Sequence, residues 1–110
     1  MDKFTRYVIL LNRIQGKEMP RELVKAHVEH LKGLESTGKL VLCGPFTDYA
    51  GGMAIINADN IDEAKQIAEQ DPFVKEKASN YEIRTLQLSC SENNHMGMGS
   101  ALKNENFSHP

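Results

Sequence analysis

The chain has 110 residues, which is enough for one domain and too few for two independent cores. Its composition is that of an ordinary globular protein, with 40% hydrophobic and 25% charged residues. The net charge is −2 and no basic run or basic–aromatic stripe occurs, so we expect no nucleic-acid partner. The first apolar run, residues 7–11, is too short to span a membrane, and no signal-peptide pattern precedes it.

The cysteines and the termini indicate the compartment. Cys43 lies in an apolar stretch and Cys90 near a polar C-terminal segment, so the two do not resemble a disulfide framework. We therefore expect a cytoplasmic protein without membrane association.

The first half of the chain predicts a strand, a helix and a second strand. Residues 7–11 are apolar on both alternating faces, as in a central strand. Pro20 suits the first turn of a helix and Gly38 its end, and between them apolar residues recur at steps of three and four. These residues are Leu23, Val24, Leu31 and Leu34. Residues 39–43 then predict a strand that Gly44 and Pro45 interrupt.

The second half predicts a strand, a helix and a last strand. Residues 53–56 are again apolar on both faces. Asp59 or Asn60 is suited to cap a second helix, and Pro72 either ends that helix or opens a short helical turn. The buried stripe of the helix is predicted to comprise Ile61, Ala64, Ile67 and Ala68. Residues 81–88 alternate between polar and apolar, as an edge strand does.

The resulting order βαββαβ predicts an α+β fold of the ferredoxin-like type, an antiparallel sheet with both helices on one face. In that fold the first and third strands are central, which agrees with their unbroken apolar runs. The face without helices still carries apolar side chains that must be hidden from water. A second copy of the chain is the simplest cover, so we expect a homodimer.

The C-terminal segment has a different composition. From residue 89 onward the chain is rich in Ser, Asn, Gly and Met and shows no periodicity. We expect residues 1–88 to form the domain and residues 89–110 a flexible tail. Cys90, His95 and His109 have no spacing typical of a closed zinc site, so we expect no bound metal.

Two residues are candidates for chemistry. His27 lies in line with Leu23, Leu31 and Leu34 on the face that the first helix turns to the sheet. It is either a core histidine bonded to a main-chain carbonyl or a general base at the bottom of a cleft. Asp71, where the chain turns back to the sheet, either caps the turn opened by Pro72 or fixes the tautomer of His27. His30 lies nearer the polar side of the helix.

An ordered set of motifs resembles one known family. The first part comprises HVEHLKGL from His27 to Leu34, then GKL from Gly38 and GPF from Gly44. The second part comprises GGM from Gly51, DPF from Asp71 and YEIR from Tyr81. Together they resemble the YciI-like family from about residue 7 to residue 88, and only the tail lies outside the match.

This resemblance implies a dimeric α/β barrel, similar in fold to muconolactone isomerase, with an active site centred on a histidine and an aspartate. Those positions fall on His27, eleven residues before Gly38, and on Asp71 in the DPF motif. The family also resembles a dehydrochlorinase of chlorinated hydroxyquinols. Where the family often has Arg-Pro-Leu near the end of the last strand, this chain has Arg84-Thr85-Leu86.

The leading functional hypothesis is a small lyase or isomerase that acts on a cyclic or aromatic organic acid without a cofactor. His27 would take a proton, Asp71 would orient it, and Gly44, Pro45 and Phe46 would line the cleft mouth and contact the substrate. The alternative is a non-catalytic dimer that binds a small ligand or a partner, with His27 and Asp71 as a structural pair. A third reading, a monooxygenase of the same barrel type, is disfavoured by the absence of Trp.

Overall fold

The structure, a computed structural model, describes residues 2–100. Four strands form one antiparallel sheet in the order β2-β3-β1-β4. The strands are β1 (Thr5–Arg13), β2 (Leu40–Pro45), β3 (Gly51–Ile56) and β4 (Ser79–Gln87). The helices are α1 (Arg21–Ser36), α2 (Ile61–Gln70) and the single turn α3 (Pro72–Lys75). The predicted fold class and the central position of the first and third strands are confirmed.

Local chemistry explains where the helices begin and end. Pro20 occupies the N-cap of α1, and Gly38 follows the helix with a positive φ of 74° that favours glycine. Asn60, one of the two predicted caps, accepts a hydrogen bond from the Glu63 amide at 2.9 Å and thereby begins α2. Asp71 begins α3 in the same way, with Pro72 at the first helical position.

The close-packed core lies beneath α2. Ala64, Ile67 and Ala68 of the predicted stripe are buried against β1 and β4, whereas Ile61 is 37% exposed. From the sheet, the inward residues of the two central strands complete the core: Tyr7, Ile9, Leu11, Ala54 and Ile56. Each Å² of apolar surface removed from water stabilises the folded state by roughly 25 cal/mol. This half of the molecule is therefore the main source of stability.

The other helix does not close onto the sheet. No residue of α1 is buried, and Val24, from the predicted apolar stripe, is 40% exposed. The helix contacts α3 and one edge strand, β2, and leaves a gap above the sheet between them. Val24, Leu31 and Leu34 of the stripe line that gap, and Leu34 also packs against the core. The gap is where the candidate site lies.

The described part of the C-terminal segment continues from β4 in turns. The amide of Leu88 donates a hydrogen bond to the carbonyl of Phe4, and Lys3 pairs with Glu92. A short 3-10 turn, Ser91–Asn93, follows. His109, part of the zinc reading considered above, lies outside the described residues, as does the rest of the chain after Ser100. No helix within residues 2–100 is long and apolar enough to cross a membrane.

Candidate functional site

A cavity of about 530 Å³ lies between α1 and the sheet. Its walls are mostly apolar and come from β1, α1 and α2: Ile9, Leu11, Val24, Leu31, Leu34 and Ile67. Its size and apolar walls are those of a small-molecule pocket with a few polar groups that fix orientation. Gly52 and Ala54 form part of the floor, where small side chains leave the space open.

His27 and Asp71 meet at the wall of this cavity. Nδ1 of His27 lies 2.9 Å from Oδ1 and 3.0 Å from Oδ2 of Asp71. Because a carboxylate accepts hydrogen bonds, Nδ1 carries the hydrogen and donates it, which leaves the lone pair on Nε2. Nε2 has no hydrogen-bond partner among residues 2–100, and His27 lines the cavity. The structure therefore brings the two predicted residues together in the geometry of a base and its orienting carboxylate.

Asp71 also caps the helical turn opened by Pro72, which was the alternative interpretation of this residue. Its Oδ1 accepts the amide hydrogen of Phe73 at 2.9 Å, so the same carboxylate caps α3 and holds His27. The side chain is only 7% exposed. The local sequence explains this position, because Asp before Pro is an efficient start for a helical turn. Capping and pairing with His27 are thus compatible.

Phe73 fixes the plane of the histidine ring. The two rings stack with centroids 3.9 Å apart and planes inclined by 7°. With Asp71 at one edge and Phe73 over one face, the orientation of the His27 ring is set by two independent contacts. A preset ring orientation reduces the reorganisation that proton transfer would otherwise need.

His30 lies one helical turn further along α1 and also lines the cavity. Burial lowers the pKa of His30, and the nearby Asp71 carboxylate opposes this effect only in part. The nearby main chain of Ile67 likewise raises the pKa of His30, by less than burial lowers it. His30 therefore faces the cavity. The sequence alone placed it only near the polar side of the helix.

Of the three residues predicted to contact substrate, the structure places two in the wall of the cavity. Gly44 and Pro45 line the cavity at the end of β2. Phe46 is not among the residues that line it; its ring is 37% exposed and packs edge-on against Tyr49, with centroids 6.3 Å apart. Phe46 follows the last residue of β2, and a contact of Phe46 with a ligand stays a prediction.

Sequence reasoning did not single out two polar residues of the cavity, Arg13 and Ser79. Arg13 is the last residue of β1 and Ser79 the first of β4, and the two are partners in register. Both were missed because the strands were predicted too short, as residues 7–11 and 81–88. Extending the alternation of Ile9 and Leu11 by one step would have placed Arg13 on the inward face.

No metal site is evident in the part of the chain that the structure describes. Within residues 2–100 there is no group of three or more His, Cys, Asp or Glu side chains placed to hold a metal ion. Asp71 and the imidazoles of His27 and His30 are the titratable groups that line the cavity together with Arg13 and Cys43. The arrangement is suited to proton transfer between a histidine and a bound organic molecule.

Comparison with known proteins places the chain in a family. The YCII-related domain model matches residues 5–87. The uncharacterized protein YjpA of Bacillus subtilis (strain 168) is 33% identical over 82 residues, which cover 74% of this chain and 96% of YjpA. A solved structure, the 5-chloro-2-hydroxyhydroquinone dehydrochlorinase TftG of Burkholderia phenoliruptrix AC1100 in complex with 2,5-dihydroxybenzoquinone, is 23% identical. It superposes with a TM-score of 0.50 over 77% of this chain and 97% of that one, a similarity that shows the shared fold. The chain belongs to the YCII-related domain family.

Proposed function

We propose that the protein is a small lyase or isomerase that removes a proton from a cyclic or aromatic organic acid and uses no cofactor. The observation that carries the proposal is the bond from His27 to Asp71, 2.9 Å long, at the wall of an open cavity. A structural histidine would be expected in a filled core, whereas this ring lines an open cavity and its Nε2 has no hydrogen-bond partner within residues 2–100.

The proposed step is a general-base reaction. Nε2 of His27 takes a proton from the substrate, and Asp71 stabilises the imidazolium that forms. The electrons of the broken bond leave with a departing group, as in a dehydrochlorination, or shift to a neighbouring carbon, as in an isomerisation. Gly44 and Pro45 provide a low wall at one end of the cavity, where a planar ring fits close to the main chain. The fold shared with a dehydrochlorinase that binds a dihydroxybenzoquinone supports this class of substrate.

The test is turnover by the intact protein. Chlorinated hydroxyquinols, beginning with 5-chloro-2-hydroxyhydroquinone, and lactones of cyclic acids are supplied, and chloride release and ring absorbance are followed. We expect His27→Gln to stay folded and to lose about 10²–10⁴-fold in turnover, the usual contribution of a general base. His95→Gln is the matched control, because His95 is exposed and does not line the cavity.

Two results would contradict the proposal. One is wild-type protein that turns over no member of the panel. The other is a His27→Gln variant that keeps full turnover or loses it only in proportion to its melting temperature. In the second case the pair acts as a structural contact, and a dimeric ligand-binding module becomes the better interpretation.

We also propose that the active form is a homodimer that pairs through the sheet face opposite the helices. Val8 and Leu10 of β1 and Met53 and Ile55 of β3 lie on that face and are only half-buried in the single chain. Leu42 beside them is 50% exposed. An apolar sheet face of this kind is the surface that packs against another sheet in two-layer β structures.

A further inference from the structure

The cavity is larger than the group on which the proposed reaction takes place. Its volume of about 530 Å³ is in the range that buries a drug-sized molecule, and a single six-membered ring leaves much of it empty. Its floor includes the inward residues Ile9, Leu11 and Arg13 of β1. Because an antiparallel strand rises about 3.4 Å per residue, the floor extends for roughly 14 Å from Ile9 to Arg13. The cavity is therefore long enough for a ring and a substituent.

The residues of the proposed reaction lie toward one end of this floor. Arg13 is the last residue of β1 and lines the cavity. The neighbouring strand β4 begins beside it, and the Ala78 amide just before that strand donates to the carbonyl of Phe73 at 2.9 Å. Asp71, two residues before Phe73, therefore lies toward the same end and binds His27 there.

The opposite end of the cavity is apolar. The carbonyl of Leu34 accepts a hydrogen bond from the Lys39 amide at 2.9 Å, so this part of α1 lies beside the start of β2, away from the end of β1. Leu34 lies seven residues beyond His27, about 10 Å along the helix axis. On the sheet, Ile9 is directly opposed to Ala54 of β3, and both line the cavity.

We call this region the inner end of the cavity and define it by five apolar lining residues: Ile9, Leu31, Leu34, Ala54 and Ile67. Two less apolar residues border it. His30 lies one turn beyond His27 on α1, and Cys43 of β2 is the register partner of Ala54. A free cysteine behaves as a small apolar side chain. Apolar walls of this kind bind hydrocarbon groups, because they offer water few hydrogen-bond partners.

We propose that the inner end is a subsite for a hydrocarbon substituent, so that the substrate is an organic acid whose ring carries a short alkyl chain. The ring lies beside His27, and the chain extends along α1 toward Leu34. The chain removes the walls of the inner end from water, whereas an unsubstituted ring leaves them hydrated. The inference rests on the proposed function in one respect, since it adds a substrate class to the same cavity.

The experiment measures binding without turnover. Isothermal titration calorimetry on the full chain compares benzoate with its 4-methyl, 4-ethyl and 4-propyl derivatives, which differ only in chain length. We expect the affinity to rise about threefold to fourfold for each added carbon, the effect of burying one methylene group. Propylbenzene has the same chain without the acid, so its binding does not depend on the proposed function. We expect it to shift the methyl NMR signals of Ile9 and Leu34.

Two variants assign this gain to the inner end. Leu31→Asn places a polar side chain in its wall, and Ala54→Val fills part of its space with added methyl groups. Each should reduce the gain per carbon to less than about twofold, because the chain then loses apolar surface to cover. Ile61→Asn is the matched control, because Ile61 is an apolar residue, 37% exposed, that does not line the cavity. Melting temperatures show whether each variant is folded.

The inference is overturned if the acids bind without a rise in affinity along the series, or if Ile61→Asn lowers the gain as much as Leu31→Asn and Ala54→Val do. If no benzoate binds, propylbenzene decides, since shifts at Ile9 and Leu34 retain the subsite and unchanged signals remove it. The subsite and the reaction fail separately. A chain-length gain in a protein without turnover retains the subsite and removes the proposed function. Turnover of an unsubstituted ring without any chain-length gain retains the function and removes the subsite.

Discussion

The Asp71 carboxylate makes one local and one long-range hydrogen bond. Locally it begins α3 by accepting the amide of Phe73, and across 44 positions of sequence it accepts from Nδ1 of His27. Each interaction restrains the carboxylate for the other, so the pair is held before any ligand arrives. A buried carboxylate with two hydrogen-bond donors is costly to remove, since both donors lose their partner.

We expect the substitution Asp71→Asn to change the tautomer of His27. In Asp71→Asn, the side-chain oxygen continues to cap Phe73, and the amide NH₂ then points at Nδ1. The NH₂ takes the place of Oδ2, 3.0 Å from Nδ1, and we expect Nδ1 to accept its hydrogen. The ring proton then lies on Nε2 and the base is lost. We expect a folded protein with turnover reduced about as much as in His27→Gln.

Nitrogen NMR of the imidazole ring checks this directly, because the protonated and unprotonated ring nitrogens have distinct shifts. Asp71→Ala is the contrasting variant, since it also removes the cap and should cost roughly 1–3 kcal/mol of stability. An Asp71→Asn protein in which Nδ1 keeps its hydrogen would contradict the assigned roles.

At the scale of elements, α1 and β3 create the cavity between them. α1 stands away from the sheet, and β3 begins with two glycines that pass close to neighbouring main chains. A Cβ atom on Gly51 would overlap the carbonyl of Leu11 in β1, and one on Gly52 would lie 2.7 Å from the carbonyl of Gly44 in β2. Glycine at these positions therefore permits close strand pairing and keeps the cavity floor low.

Substitution of two glycines in neighbouring strands tests this account. Gly52→Ala should destabilise the protein by roughly 1–3 kcal/mol, because the added methyl group forces β2 and β3 apart. Gly44→Ala is the matched control, since a Cβ there has no atom within 4 Å and should be close to neutral or slightly stabilising. Urea unfolding of both variants gives the two free energies. Equal losses would mean that close strand approach is not the cause.

For the whole molecule, the sheet face without helices predicts the oligomeric state. Leu10 lies in a central strand on that face and is half-buried in the single chain. Leu10→Glu should convert a dimer into a folded monomer, because a carboxylate cannot be desolvated between two sheets without a partner. Light scattering at micromolar concentration measures the mass.

Ile61→Glu serves as the matched control for this test. Ile61 is an apolar residue that is 37% exposed in the first turn of α2, away from the sheet face, and Glu is favourable in a first helical turn. We expect Ile61→Glu to stay dimeric. Wild-type protein with the mass of a single chain would remove the dimer proposal. The mobility of residues 89–110 and their separation from the domain likewise stay predictions.

The sequence by itself determined the elements, their order and the sheet. The unbroken apolar runs in residues 7–11 and 53–56 and the helix-start residues Pro20 and Asn60 are local signals, because main-chain conformation depends on near neighbours. Once βαββαβ is known, few arrangements bury its apolar faces, so the central place of β1 and β3 follows from pattern and connection rules. His27 and Asp71 were identified as a pair through the resemblance to a family, since sequence distance carries no spatial information.

Only the tertiary structure decided that α1 covers a cavity. The apolar stripe of α1 comprises Leu23, Leu31 and Leu34, and its period would be the same above a filled core as above a cavity. Periodicity shows which side of a helix is apolar, but it does not show how near the sheet lies. The pairing of Arg13 with Ser79 likewise depends on strand register, which arises from contacts between residues 66 positions apart. Packing distance and register are properties of the assembled fold, and they place a histidine from an apolar helix face in the wall of a mostly apolar, ligand-sized cavity.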